Sequence, residues 1–232
     1  MTLTEASKSI GVRWEAAECY VNDFDDLIFD FPINPHDFLS FAEKDLNSTN
    51  EVHSLVNCLT NAKRAIDSQV DRVLSALGFS IKHKSFKTRF DIFRGTGIVA
   101  PRIIRKVRAA RNLLEHEYNR PVRNDVEDAL DIATLFVLAT DRLFLQFPID
   151  VYVYNKEEEN DEGFIPKNCL NIYFKDEPPF FGVDVRKESK KEVSIEIHPE
   201  DQFYIHLVNL FIAIQREVYV DDAKKTIASM IK

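Results

Sequence analysis

Glycine is scarce in this chain, six in 232 residues, and cysteine is scarcer, with thiols only at Cys19, Cys58 and Cys169. So little glycine excludes collagen-like and Gly-rich linker classes. Three well-separated cysteines, an odd number, fit neither a disulfide framework nor a zinc ribbon, and they read as reduced thiols. No apolar run reaches the ~18 residues that a membrane-spanning helix needs. The N-terminal stretch MTLTEASKSIGVRWEAAECY lacks the basic-then-apolar order of a leader. These absences point to a cytoplasmic protein with no membrane partner. Positive charge is also short: 30 Lys and Arg face 38 Asp and Glu, a net charge of -8, which argues against a protein that coats nucleic acid.

Apolar and aromatic residues are plentiful. The chain is 45% hydrophobic with 18 Phe, enough for one sizeable core or two small ones, and this excludes intrinsic disorder. Residues 1–33 form an N-terminal appendage of uncertain structure, in which a helix-like start precedes VNDFDDLIFDFP, whose alternation reads equally as a strand. From Asn34 the signals sharpen. Asn34-Pro35 has the form of an N-cap and first helical residue, and Ser48-x-x-Glu51 the form of a capping box. Val52, Leu55, Val56, Leu59, Ala62, Ile66, Val70, Val73, Leu74 and Leu77 then keep a 3.6-residue period up to Gly78.

A basic segment with a short helix, a helix over APRIIRKVRAARNLLEHEYNR, and another from the capping-box-like Asn124–Glu127 complete an antiparallel bundle over 34–147. After Pro148 come short β-branched and aromatic runs, IDVYVYN, CLNIYF, FFGVDVR and EVSIEIH, followed by two helical stretches. The expected fold is therefore α+β and predominantly α. A helical bundle is followed, over 148–232, by a small antiparallel β-sheet with C-terminal helices.

The most specific chemical signal lies in Arg111-Asn112-Leu113-Leu114-Glu115-His116-Glu117-Tyr118, the sole R-x4-H of the chain. This R-N-x-x-x-H-x-Y form, on the penultimate helix of a bundle, resembles the R-x4-6-H motif of the HEPN superfamily (higher eukaryotes and prokaryotes nucleotide-binding). The resemblance covers residues 34–147, about half the chain, and the expected bundle matches the family's all-α domain. It implies a metal-independent endoribonuclease of toxin-antitoxin, abortive-infection or RNA-processing type, working without a cofactor, in which two protomers of a homodimer bring their motifs together. By the same resemblance Arg111 and His116 are the catalytic pair, and Asn112 is the polar residue after the Arg. Tyr118 matches a tyrosine that, in one toxin branch, a separate nucleotidyltransferase antitoxin adenylylates.

The residues are chemically suited to these roles. A His titrating near neutral pH can take the proton of a ribose 2′-hydroxyl, and a guanidinium can fork onto two phosphate oxygens as charge develops. Asn112, one turn before His116, can hold the imidazole or the RNA. On a helical wheel with Arg111 at 0°, the apolar Ile103, Val107, Ala110, Leu114 and Tyr118 fall between about 260° and 340°. His116 falls near 140°, and Arg102, Arg105 and Arg108 between about 60° and 180°, an outward basic face for RNA. The same residues also fit a structural account: Arg111 pairs with Glu115, His116 meets the C-terminal end of the helix dipole, and Tyr118 is core. In that case the protein is a non-catalytic, dimeric binding or scaffold module of the same fold.

Other candidates carry less. His36, His53, His83, His198 and His206 have no ligand spacing among themselves or with a Cys, so no metal is expected. Asp67 and Asp71, near Lys63 and Arg64, read as solvated charge pairs, and Glu157–Glu162 reads as an exposed loop. The net charge is a sum of opposites: from Lys82 to Arg123 there are twelve Lys or Arg and three Asp or Glu, so that stretch is +9 and the rest -17. Screening over about 8 Å makes the local charge the one an RNA phosphate meets.

Overall fold

A computed structural model describes residues 1–48, 51–99, 106, 109, 121–158 and 166–231. It divides into two compact units. One holds Met1–Leu27, Ala76–Phe79 and Phe144–Lys232, and the other Ile28–Ser75 and Ser80–Leu143. Helices and one antiparallel sheet coexist, so the fold is α+β.

In the second unit the described helices are α2 (Pro35–Ser48), α3 (Val52–Ala76), α4 (Phe86–Gly95) and α5 (Arg123–Asp141). The first short helix of the chain, α1 (Leu3–Ser9), belongs to the other unit. α2 begins where Asn34-Pro35 places it. Asn34 Oδ1 accepts the Asp37 N–H at 3.1 Å, and Asp37 Oδ2 accepts the Asn34 N–H at 2.9 Å, so two otherwise unpaired donors are satisfied reciprocally. The apolar period of α3 is its buried stripe: Leu55, Leu59, Ala62, Ile66, Val70, Val73 and Leu74 are all buried. α4 starts at Ser85, whose Oγ accepts the Thr88 N–H at 3.2 Å, and it sends Phe90 and Phe93 inward, Phe93 meeting Phe136 of α5 at 5.5 Å between centroids.

Two expected caps are corrected. Ser48 is the last residue of α2 and not the cap of α3; its hydroxyl bonds back to the Asp45 carbonyl at 2.8 Å, and the Glu51 carbonyl accepts the first α3 bond, from Leu55. α5 starts one residue before Asn124, behind Val122, which has no capping side chain. Glu127 turns instead to Arg123, 2.8 Å away on the same face.

The first unit corrects the expectation for residues 1–33. They are no appendage: β1 (Ala17–Asp25) is the edge strand of a five-stranded meander ordered β1-β2-β3-β4-β5. The other strands are β2 (Phe147–Asn155), β3 (Cys169–Asp176), β4 (Pro179–Lys187) and β5 (Lys190–Ile197), where the four aromatic and β-branched runs predict them. Every pairing is antiparallel. The N-terminal segment is tied down by packing as well as by the ladder. Trp14 is 2% exposed with its indole N–H on Ser7 Oγ, and Asn155 holds the Arg13 N–H and the Gly11 carbonyl, both at 2.9 Å. No pattern within 1–33 could announce this, because its partner strand lies more than a hundred residues away.

Two C-terminal helices, α6 (Tyr204–Arg216) and α7 (Val220–Ile231), complete the unit. One sheet face packs on α6 through phenylalanines: Phe211 lies 4.9 Å from Phe181 and 6.1 Å from Phe147, centroid to centroid. Gly78 ends the α3 pattern in a left-handed conformation, φ 79°, and an added Cβ would come within 2.5 Å of Pro179, so glycine is required there. The register places Tyr20, Tyr152, Asn171, Asp184 and Ser194 in one cross-strand row, with Cys169, Arg186 and Lys191 in the next. Both rows lie on the face away from α6, because they alternate with Val151, Ile172 and Val183. Among the described residues no helix is long and apolar enough to cross a membrane.

Candidate functional site

Arg102, Arg105, Arg108, Arg111, Asn112, His116 and Tyr118 lie outside the described residues. Of residues 100–120, Lys106 and Ala109 are described, and both are helical and exposed. The described part of the helical unit contains a polar cluster built on α2, α3 and α5.

Its hub is Asp141, the last residue of α5. Gln69 and Arg72 sit one turn apart on α3, so both side chains reach it: Gln69 Nε2 donates to Asp141 Oδ1 at 3.0 Å and to Thr140 Oγ1 at 2.8 Å, and Arg72 Nη1 donates to Asp141 Oδ1 at 3.1 Å. His36, in the first turn of α2, brings Nε2 to 2.6 Å from Asp141 Oδ2. Arg72 Nε also donates to the Phe29 carbonyl at 2.9 Å and lies 3.2 Å from Asp30.

One carboxylate of α5 therefore orders an imidazole from α2 and a guanidinium and an amide from α3. Charge-assisted bonds of this kind are stronger than neutral ones, and they fix the His36 ring with Nδ1 as its other nitrogen. His36 itself is half exposed, whereas Gln69 is fully buried and its Oε1 has no hydrogen-bond partner. Sequence patterns pass over this cluster, because His36 and Asp141 are 105 positions apart.

A second pair corrects the reading of Asp71 as a solvated group. Its carboxylate faces Arg89 of α4 in a direct ion pair, with side chains only 19% and 17% exposed. Burial raises the Asp71 carboxyl above the usual carboxylate range, with the Arg89 charge opposing this and Asp67 adding to it. Asp71 Oδ1 and Arg89 Nε are buried without hydrogen-bond partners. The cause is angular: Asp71 projects about 100° from Arg72 on α3, toward α4 rather than toward solvent.

The other histidines remain dispersed. His53 lies 3.2 Å from Glu51 and His198 3.2 Å from Glu196, all exposed, while burial lowers the pKa of His206. Among the described residues no three His, Cys, Asp or Glu side chains are placed to share a metal ion. The three cysteines are free, and burial pushes Cys19 up to about 12 and Cys58 and Cys169 up to about 11. They are not nucleophiles at neutral pH. Of the acidic run, Glu157 is exposed and ion-paired with Arg13, and residues 159–162 lie outside the described residues.

Comparison of the chain with protein-family models, with curated proteins and with solved structures gives no match.

Proposed function

We propose that this protein is a metal-independent endoribonuclease of HEPN type, acting as a homodimer on RNA in a toxin-antitoxin or phage-defence setting. The reading is carried by one observation, the sequence Arg111-Asn112-x-x-x-His116-x-Tyr118 within a +9 segment of an acidic chain. His116 takes the 2′-hydroxyl proton. Arg111 stabilises the charge that builds on the phosphoryl oxygens as the 2′-oxygen attacks and the 5′-oxygen leaves, giving a 2′,3′-cyclic phosphate. Asn112 orients the imidazole or the RNA, and Arg102, Arg105 and Arg108 hold flanking phosphates. The exposure of Lys106 and Ala109 supports the outward-face assignment. On the wheel they fall near 220° and 160°, outside the apolar arc, and Ala109 is within about 20° of His116. No cofactor enters the reaction.

The test is cleavage of RNA in EDTA by purified protein, followed by analysis of the ends. The expected products carry 2′,3′-cyclic phosphates, and His116→Ala and Arg111→Ala each lose at least about a hundredfold in rate while melting like the wild type. Undiminished cleavage by purified His116→Ala overturns the proposal. The scaffold reading predicts the opposite pattern, in which both substitutions leave function untouched and changes on an apolar dimer face abolish it. An intact-mass increase at Tyr118 on co-expression with a nucleotidyltransferase gene would identify that enzyme as the antitoxin.

A further inference from the structure

The sheet face away from α6 carries an arginine, Arg186, that has no ion-pair partner among the described residues. Arg186 projects from β4, and its cross-strand neighbours are Cys169 on β3 and Lys191 on β5. Its guanidinium carbon lies 5.9 Å from the centre of the Tyr152 ring, and that ring is 3% exposed, so the arginine stem and head roof a buried tyrosine. Arg186 Nε is buried and makes no hydrogen bond. Among the described residues no carboxylate lies within ion-pair distance of the guanidinium.

The neighbouring acids are already engaged. Asp184, two residues earlier on the same strand, accepts Ser194 Oγ at 2.6 Å and Lys191 Nζ at 2.9 Å. Asp150 accepts amide donors from Asn22 at 2.8 Å and from Asn171. Two like charges directly opposite each other on antiparallel strands repel, and of the two only Lys191 has a carboxylate in ion-pair contact among the described residues. The hairpin end around them adds Lys187 and Lys190 against Glu188 and Glu192, so Arg186 to Glu192 is net +2. A planar guanidinium with unfilled donors, fixed over an aromatic ring beside a lysine that can swing from its carboxylate, matches a tetrahedral oxyanion presenting two oxygens.

We propose that Arg186 and Lys191 form a binding site for a phosphoryl group, either free phosphate or the phosphate of a nucleoside monophosphate. The guanidinium takes two oxygens through its fork, and Lys191 supplies a point charge to a third. The site uses none of the residues assigned to RNA cleavage and does not rest on that assignment.

The experiment is a titration of the full-length protein with inorganic phosphate, with AMP and with adenosine, following the arginine Nε–Hε resonances by NMR. Phosphate and AMP should bind with a dissociation constant on the order of 1 mM, and adenosine should not. Tighter binding of AMP than of phosphate assigns the site to nucleotides, and equal binding assigns it to the phosphoryl group alone. Arg186→Gln should weaken binding at least about tenfold, and Arg186→Lys, which keeps the charge but not the fork and preserves the fold, about threefold. The Arg111→Ala/His116→Ala double variant should titrate like the wild type, so loss of cleavage and loss of this site are read separately. Arg186→Gln and Arg186→Lys titrating like the wild type, or adenosine binding as well as AMP, overturns the proposal.

Discussion

At the scale of single side chains, burial sets reactivity here more than residue type does. Cys19, Cys58 and Cys169 could each pass for a nucleophile in the sequence, yet desolvation lifts their thiols to about 12, 11 and 11. At pH about 8 a thiol of pKa near 11 is roughly 0.1% thiolate, against about a quarter for an unperturbed one. Labelling of the native protein with a disulfide reagent should therefore be at least about a hundredfold slower than in urea, for all three thiols. One thiol reacting at the unfolded rate under native conditions would contradict its environment. Asp141 shows the reverse effect: an ordinary surface-type residue becomes the organiser of His36, Gln69 and Arg72 because α2 and α3 both meet the end of its own helix.

At the scale of elements, α3 and α4 are joined by a buried charge pair whose net effect is unfavourable to ionisation. The native Asp71 carboxyl is held above its usual range, so the native state binds that proton more tightly than the unfolded chain does. Its contribution to stability is complete at low pH and is lost as pH rises through the native pKa. Arg89→Met leaves the carboxylate without its cation and should cost about 2–4 kcal/mol near pH 7. That cost should shrink as pH falls through the raised native pKa, because protonation removes the stranded charge. Adding Asp71→Leu should recover most of it, since an apolar pair of similar volume avoids desolvation. Urea unfolding at a series of pH values reads all three effects, and a cost that does not change with pH would sink this account.

At the scale of the whole molecule, the two ends of the chain build one unit. Leu3, Ala6 and Trp14 are buried in the same unit as β2 to β5 and the C-terminal helices, and Lys224 of α7 donates to the Ala17 carbonyl at 2.7 Å. Trp14→Ala, remote in sequence from β2 to β5, should cost about 3–5 kcal/mol in urea unfolding followed by far-UV circular dichroism. A loss below about 1 kcal/mol would show that the N-terminal segment is dispensable to the sheet. Local chemistry alone determined a great deal: the helix of α3 from its 3.6-residue period, four of the five strands from β-branched and aromatic runs, and the start of α2 from Asn34-Pro35. The motif at Arg111–Tyr118 is a feature of the string alone and lies outside the described residues. Tertiary structure alone decided that β1 completes the sheet, that Asp71 faces Arg89, that His36 meets Asp141, and that Arg186 stands opposite Lys191 with no ion-pair partner of its own among the described residues. Each of these joins residues far apart in sequence or depends on which face of an element turns inward. Periodicity and capping act over a few residues, whereas pairing partners are chosen by packing, which a linear pattern does not contain.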